Sequence, residues 1–170
     1  AAIAGGAYLL LGAKSLIDGE AVNATNWYWQ LACAVLLLIG GVTMLLYIPT
    51  IFKKDLPFAK AIALGPLLAS LMLLLTTFIN YAVLANTMDR LLDYAMLILV
   101  LLYFTSEAKL RVENGDYRSV YSWGLSAIIV ILVNCLPRLL LQITNVDYHF
   151  GFNMLSPVYL LLVPYLITSL

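Results

Sequence analysis

The sequence predicts an all-α, polytopic integral membrane protein: a bundle of about six transmembrane helices with both termini in the cytoplasm. Apolar residues make up 64% of the 170 residues and charged residues 11%, whereas soluble domains contain roughly 45–50% and 25%. Because about 20 apolar residues cross a bilayer as a helix, the chain has room for six spans in one domain over residues 1–170. This composition excludes a soluble enzyme, a disordered tail and a nucleic-acid-binding protein.

The first two predicted helices cover residues 1–16 and 26–48. The first is an apolar run rich in alanine and glycine, and a polar loop follows it. Small residues at a spacing of four let a second helix approach closely within lipid. The second helix opens with a Trp-Tyr-Trp run, typical of the membrane interface, and Pro49 is predicted to end it.

The third and fourth predicted helices cover residues 58–85 and 88–109, with a short polar turn between them. Gly65 and Pro66 interrupt the third helix and predict a kink there. The fourth helix ends in a charged segment, residues 107–113. Because the signs of its charges alternate, this segment is expected to be a solvated helix end that suits docking onto a cytoplasmic partner.

The last two predicted helices cover residues 119–143 and 154–170. The fifth follows a polar turn and carries Pro137 near its end. A loop with the only histidine, His149, separates it from the sixth helix.

The distribution of basic residues predicts the orientation of the bundle. Cytoplasmic connections of membrane proteins are enriched in lysine and arginine. The connections between helices two and three and between helices four and five hold six basic residues: Lys53, Lys54, Lys60, Lys109, Arg111 and Arg118. The opposite side holds three: Lys14, Arg90 and Arg138. Both termini are therefore predicted to face the cytoplasm.

Three ionisable side chains fall inside the predicted spans: Lys14, Asp93 and Arg138. Each costs about 2.5–3.5 kcal/mol to insert at a helix centre, so each requires a reason. All three lie about one turn below the predicted outer surface. They suggest a polar cavity open to the outside, in which Lys14 and Arg138 face an anionic group. Polar neighbours that could complete this substrate-binding site with hydrogen bonds are Asn80, Tyr94, Asn134 and Gln142.

A purely structural role for the same residues is the alternative interpretation. Asp93 and Arg138 could pair with each other, while the Lys14 side chain reaches the interface. An outward cavity lined by Lys14, Asp93 and Arg138 would favour ligand binding. A closed Asp93–Arg138 pair without a cavity would favour an accessory subunit.

The other chemical motifs do not predict a metal site. Asp89 and Asp93 lie one helical turn apart, but acidic residues at a helix N-terminus are explained by the helix dipole. His149 and Asp147 share a loop and supply too few ligands for zinc. We therefore expect no metal and no other cofactor.

No catalytic arrangement is predicted either. Ser126 follows a glycine at the spacing Gly-x-Ser, but the topology places His149 outside the membrane and far from it. Cys33 and Cys135 lie mid-span without a Cys-x-x-Cys pair, so they are expected to be buried small hydrophobic residues. The sequence lacks a phosphate-binding loop of the form GxxxxGK[ST]. We expect a protein that is not an enzyme and that relies on a partner for any use of ATP.

The size, six spans, cytoplasmic termini and small-residue first helix resemble the substrate-binding subunits of energy-coupling-factor transporters. This topology-level resemblance implies a six-helix protein that binds a small solute from outside. It also implies that small residues of the first helix (Ala1, Ala2, Gly5 and Gly6) dock onto a membrane-embedded coupling subunit.

These features predict two alternative functions. The first is a small-solute-binding subunit of a transport system in the plasma or inner membrane, with Lys109 and Arg111 among the partner-docking residues. The second is a non-catalytic scaffold or accessory subunit of a larger membrane complex. In either case the expected partners are the lipid bilayer and a membrane or cytoplasmic protein, and not nucleic acid.

Overall fold

The protein is described by a computed structural model. The described residues are 4–6, 8–10, 13, 27–52, 62–81, 88–111, 115–143 and 155–169. All regular secondary structure within these ranges is α-helical, in agreement with the predicted all-α class.

Five helices account for most of the described chain. They are α1 (Trp27–Phe52), α2 (Leu64–Tyr81), α3 (Met88–Arg111), α4 (Tyr117–Ile143) and α5 (Leu155–Ser169). Residues 4–6, 8–10 and 13 are also helical, and we call them the N-terminal helical segment. These elements correspond in order to the six predicted helices.

Two prolines, Pro49 and Pro66, do not have the structural effects that the sequence predicts for them. Pro49 does not end α1, which continues to Phe52. Pro66 lies in the first turn of α2 and not at a kink in mid-helix. Proline is tolerated there because the first backbone N–H groups of a helix have no partner within the helix.

Helices that are consecutive in the chain pack side by side, α1 on α2, α2 on α3, α3 on α4 and α4 on α5. Asp93, near the start of α3, binds Arg138, near the end of α4, so α3 and α4 are antiparallel. Glu107, near the end of α3, binds Tyr165, near the end of α5, so α3 and α5 run in the same direction. This is the up-and-down arrangement of a helical bundle.

Glycines allow α1 to approach its neighbours closely. A Cβ atom added to Gly40 would lie 2.5 Å from the Cβ of Ala69 on α2. A Cβ atom added to Gly41 would lie 2.9 Å from the carbonyl oxygen of Gly5 in the N-terminal helical segment. Real Cβ atoms almost never come this close, so both contacts require glycine. Small-residue contacts of this kind are typical of helices packed within lipid.

Among the described residues, two helical stretches are long and apolar enough to cross a membrane, Leu91–Arg111 and Tyr117–Leu140. Shorter apolar stretches lie in the three other helices: Leu31–Leu46, Leu64–Leu75 and Tyr159–Thr168. Large apolar side chains are exposed along all of these elements. A helical bundle is therefore established, whereas six complete spans stay a prediction.

Candidate functional site

Asp93 of α3 meets two polar side chains of α4. The Asn134 side-chain amide donates a hydrogen bond of 2.7 Å to Oδ1 of Asp93. Nη1 of Arg138 lies 2.8 Å from the same oxygen and forms an ion pair with it. We call Asp93, Asn134 and Arg138 the outer polar cluster. The structure thus brings together three of the seven predicted substrate-binding residues.

Helical geometry explains why these residues meet. Asn134 and Arg138 are four positions apart on α4, so their side chains project from the same face. Pro137 lies between them inside the helix and has no N–H to bond the backbone carbonyl four residues earlier. The antiparallel arrangement of α3 and α4 then places Asp93 opposite this face.

The outer polar cluster is electrically neutral, since Arg138 compensates the charge of Asp93. The side chains of Asp93 and Arg138 are 21% and 30% exposed, so the ion pair lies partly in contact with the surroundings. Both contacts to Asp93 use Oδ1. Within the described residues Oδ2 accepts no hydrogen bond, and it is therefore available to a further donor.

Sulfur atoms lie directly beneath the outer polar cluster. The Asn134 amide approaches Sδ of Met96 to 4.0 Å, and the Cys135 thiol lies 3.7 Å from the same sulfur. Cys33 and Cys135 are both buried, which confirms their prediction as buried small residues.

Tyr8 and Tyr159 are buried residues with a polar group that the sequence pattern did not indicate as candidates. Each side chain is 1% exposed, and each hydroxyl lacks a hydrogen-bond partner within the described structure. Buried polar atoms nearly always have such a partner. The available signal was a tyrosine within an apolar helical run, since tyrosine prefers membrane interfaces, where its hydroxyl reaches water.

The other predicted substrate-binding residues are not joined to the outer polar cluster. Tyr94 is half-buried and packs edge-on against Phe78, with ring centroids 6.3 Å apart. Lys14 and the side chains of Asn80 and Gln142 lie outside the described residues.

A second group of polar side chains lies at the opposite end of α3. Oε1 of Glu107 accepts a hydrogen bond of 2.8 Å from the Tyr165 hydroxyl of α5. The same oxygen lies 2.8 Å from Nη2 of Arg111, one helical turn away. We call Glu107, Arg111 and Tyr165 the inner polar cluster. The Glu107 side chain is only 12% exposed, so the expectation of a solvated helix end was wrong at this residue, because α5 covers it.

The predicted partner-docking residues have unlike surroundings. Gly5 is buried against Gly41 within the chain, whereas a Cβ added to Gly6 would meet no atom within 4 Å. Lys109 is exposed, and Arg111 belongs to the inner polar cluster. Ala1 and Ala2 lie outside the described residues.

The remaining motifs add no chemistry to the described part of the chain. Ser126 donates its hydroxyl hydrogen bond to the backbone carbonyl of Ser122 in its own helix. No three His, Cys, Asp or Glu side chains converge among the described residues. Asp147 and His149, and the side chain of Asp89, lie outside them.

The outer polar cluster thus combines charge, partial exposure and, among the described residues, an acceptor oxygen without a hydrogen bond. The chain matches no protein-family model, no curated protein and no solved structure.

Proposed function

We propose that the protein is a membrane-embedded, small-solute-binding subunit of a transport system, and that it does not itself hydrolyse ATP. One observation carries this proposal: Asp93 gathers Asn134 and Arg138 around Oδ1 and leaves Oδ2 without a hydrogen bond from the described residues. An ionisable side chain within a span often marks a solute pathway or binding site. Asp93 is satisfied only in part.

The exposed face of α4 supports a location within the bilayer of the plasma or inner membrane. The stretch Tyr117–Leu140 has 24 residues and rises about 36 Å, enough to cross a hydrocarbon layer of about 30 Å. One face of it carries exposed apolar side chains at helical spacing: Leu125, Ile129, Leu132, Leu136 and Leu140. Lipid is the natural environment for such a face, and a six-span protein with cytoplasmic termini is the architecture we propose.

The same cluster also supports a second candidate, a non-catalytic scaffold or accessory subunit of a larger membrane complex. The observation in its favour is the direct contact of Asp93 with Arg138, since a buried pair can be retained to fix the register of two helices. In this case the outer polar cluster binds only itself and carries no solute.

Partner binding is part of both candidates, and one small residue, Gly6, and one exposed basic residue, Lys109, support it. Gly6 has open space beside it, and Lys109 is exposed at the end of α3. A membrane helix could pack closely against Gly6, and an acidic protein surface could bind Lys109. We propose these two positions as the docking residues of the described chain.

Native mass spectrometry of the protein purified in lipid nanodiscs separates the two candidates. A solute-binding subunit retains a small molecule, and Asp93→Ala abolishes its retention. The exposed Arg118 has no side-chain partner among the described residues, so Arg118→Ala is the matched control and should retain the molecule. A wild-type protein that carries no small molecule but keeps protein partners would contradict the first proposal and support the second.

A further inference from the structure

The two unpartnered hydroxyls, those of Tyr8 and Tyr159, lie in the part of the bundle that holds the outer polar cluster. Both tyrosines belong to one buried cluster with Cys33 of α1, Met96 of α3 and Cys135 of α4, and the Asn134 amide and the Cys135 thiol approach the Met96 sulfur. These residues come from the N-terminal helical segment and from α1, α3, α4 and α5. The elements therefore converge on one polar region in an otherwise apolar core.

An apolar core offers no reason to keep both hydroxyls. Phenylalanine would fill nearly the same volume without a polar atom, whereas each buried hydroxyl loses its bonds to water and gains no partner in the described structure. Polar groups that remain unsatisfied inside a native protein usually mark the place of a water molecule or a ligand. The two hydroxyls and Oδ2 of Asp93 are thus three hydrogen-bonding groups without a partner among the described residues.

The charges of this region determine which solute suits it. Asp93 and Arg138 cancel, and the phenols and thiols are neutral in their ordinary protonation states. An anion would meet the negative oxygen of Asp93 without a net positive charge from the described residues. A neutral solute with O–H or N–H groups can instead donate to Oδ2 of Asp93 and exchange hydrogen bonds with both phenols.

We infer that Tyr8 and Tyr159 form the inner wall of the site begun by Asp93, Asn134 and Arg138, and that this site takes an uncharged solute rich in hydroxyl or N–H groups. This inference rests on the proposed solute-binding function. It differs from the sequence-based expectation of an anionic group, because Arg138 is neutralised by Asp93.

The test compares the full chain in lipid nanodiscs with its variants Tyr8→Phe and Tyr159→Phe. Tyr121→Phe is the matched control, because Tyr121 is 49% exposed. The small molecule released on denaturation is identified and quantified by mass spectrometry, and the midpoint of thermal unfolding is measured in parallel. We expect an uncharged molecule in the wild type, and about fivefold less of it in each core variant, the equivalent in affinity of one lost hydrogen bond. The unfolding midpoint of both core variants should fall.

Each other outcome overturns the inference in a distinguishable way. Release of a phosphate or carboxylate contradicts the uncharged class, and equal release from wild type and core variants removes Tyr8 and Tyr159 from the site. In both cases the proposed solute-binding function stands. If the wild type releases nothing and the core variants unfold at a higher temperature, the two hydroxyls bind neither water nor a solute. Both proposals then fail. If it releases nothing and they unfold at a lower temperature, the hydroxyls bind only water, and both proposals fail again.

Discussion

At the scale of single residues, the two polar clusters differ in how completely they are enclosed. The side chains of Asp93 and Arg138 are 21% and 30% exposed, whereas Glu107 is 12% exposed and is bound by Tyr165 of a second helix. Exposed ion pairs contribute little to stability because solvent screens them. A hydrogen bond to an enclosed charge contributes more, since water does not readily replace it when it is lost.

The Asp93–Arg138 pair should therefore contribute only modestly to stability. We expect a double-mutant cycle of Asp93→Ala and Arg138→Ala to give a coupling free energy of about 1 kcal/mol. This value is near the lower end of the range measured for residues in direct contact. The free energy of unfolding would be measured by SDS titration in mixed micelles. Arg118→Ala, combined with Asp93→Ala, is the control and should show no coupling. A coupling as large as that of a fully buried pair would favour a structural role for these residues.

Tyr165 should contribute more than the outer ion pair. Tyr165→Phe removes the hydroxyl that donates to Glu107 and should lower the free energy of unfolding by about 1.5–3 kcal/mol, the range for a hydrogen bond to a charged group. Tyr117 is 69% exposed, so Tyr117→Phe should have almost no effect in the same SDS titration. Equal effects of the two substitutions would mean that Glu107 is satisfied without Tyr165.

At the scale of helices, apolar run length predicted the order of the elements, because a membrane-length helix leaves a simple pattern in the sequence. The meeting of Asp93 with Arg138 was also predictable, since alternating helix directions place both near the same surface. The contact between Glu107 and Tyr165 was not. It depends on how α5 rotates and packs over the end of α3, and local charge alternation carries no information about that packing.

Glycine contacts provide a direct test of helix packing. Gly40→Ala places a Cβ 2.5 Å from that of Ala69 and should destabilise the protein by about 1–3 kcal/mol, the usual cost of overpacking. Gly6→Ala is the matched control, because no atom lies within 4 Å of the added Cβ. Since alanine favours helix by up to about 1 kcal/mol over glycine, this variant should unfold at an equal or higher SDS concentration. Destabilisation by Gly6→Ala in the isolated chain would contradict this arrangement.

At the scale of the whole molecule, exposed apolar side chains and buried polar ones together determine what the fold can do. A soluble bundle could not leave so many large apolar residues facing water without association. Within lipid this exterior is favourable, and the polar groups in the interior are then the unusual feature. Because the outer polar cluster and the two unpartnered tyrosines lie inside such an exterior, solute binding is expected from the interior and partner binding from the helix surfaces and ends.

The environment of α4 can be tested by substituting one exposed residue. Ile129 is 56% exposed near the middle of this helix, so Ile129→Arg would place a charge among lipid chains and should cost about 2.5–3.5 kcal/mol of membrane insertion free energy. Tyr117→Arg, at the start of the helix, is the control and should insert normally because its charge can reach the interface. Insertion would be measured by glycosylation mapping in microsomes. If α4 faced water, a substitution at an exposed position would change stability by only about 0.5 kcal/mol. Equal and small effects of Ile129→Arg and Tyr117→Arg on insertion would therefore contradict a lipid-facing α4.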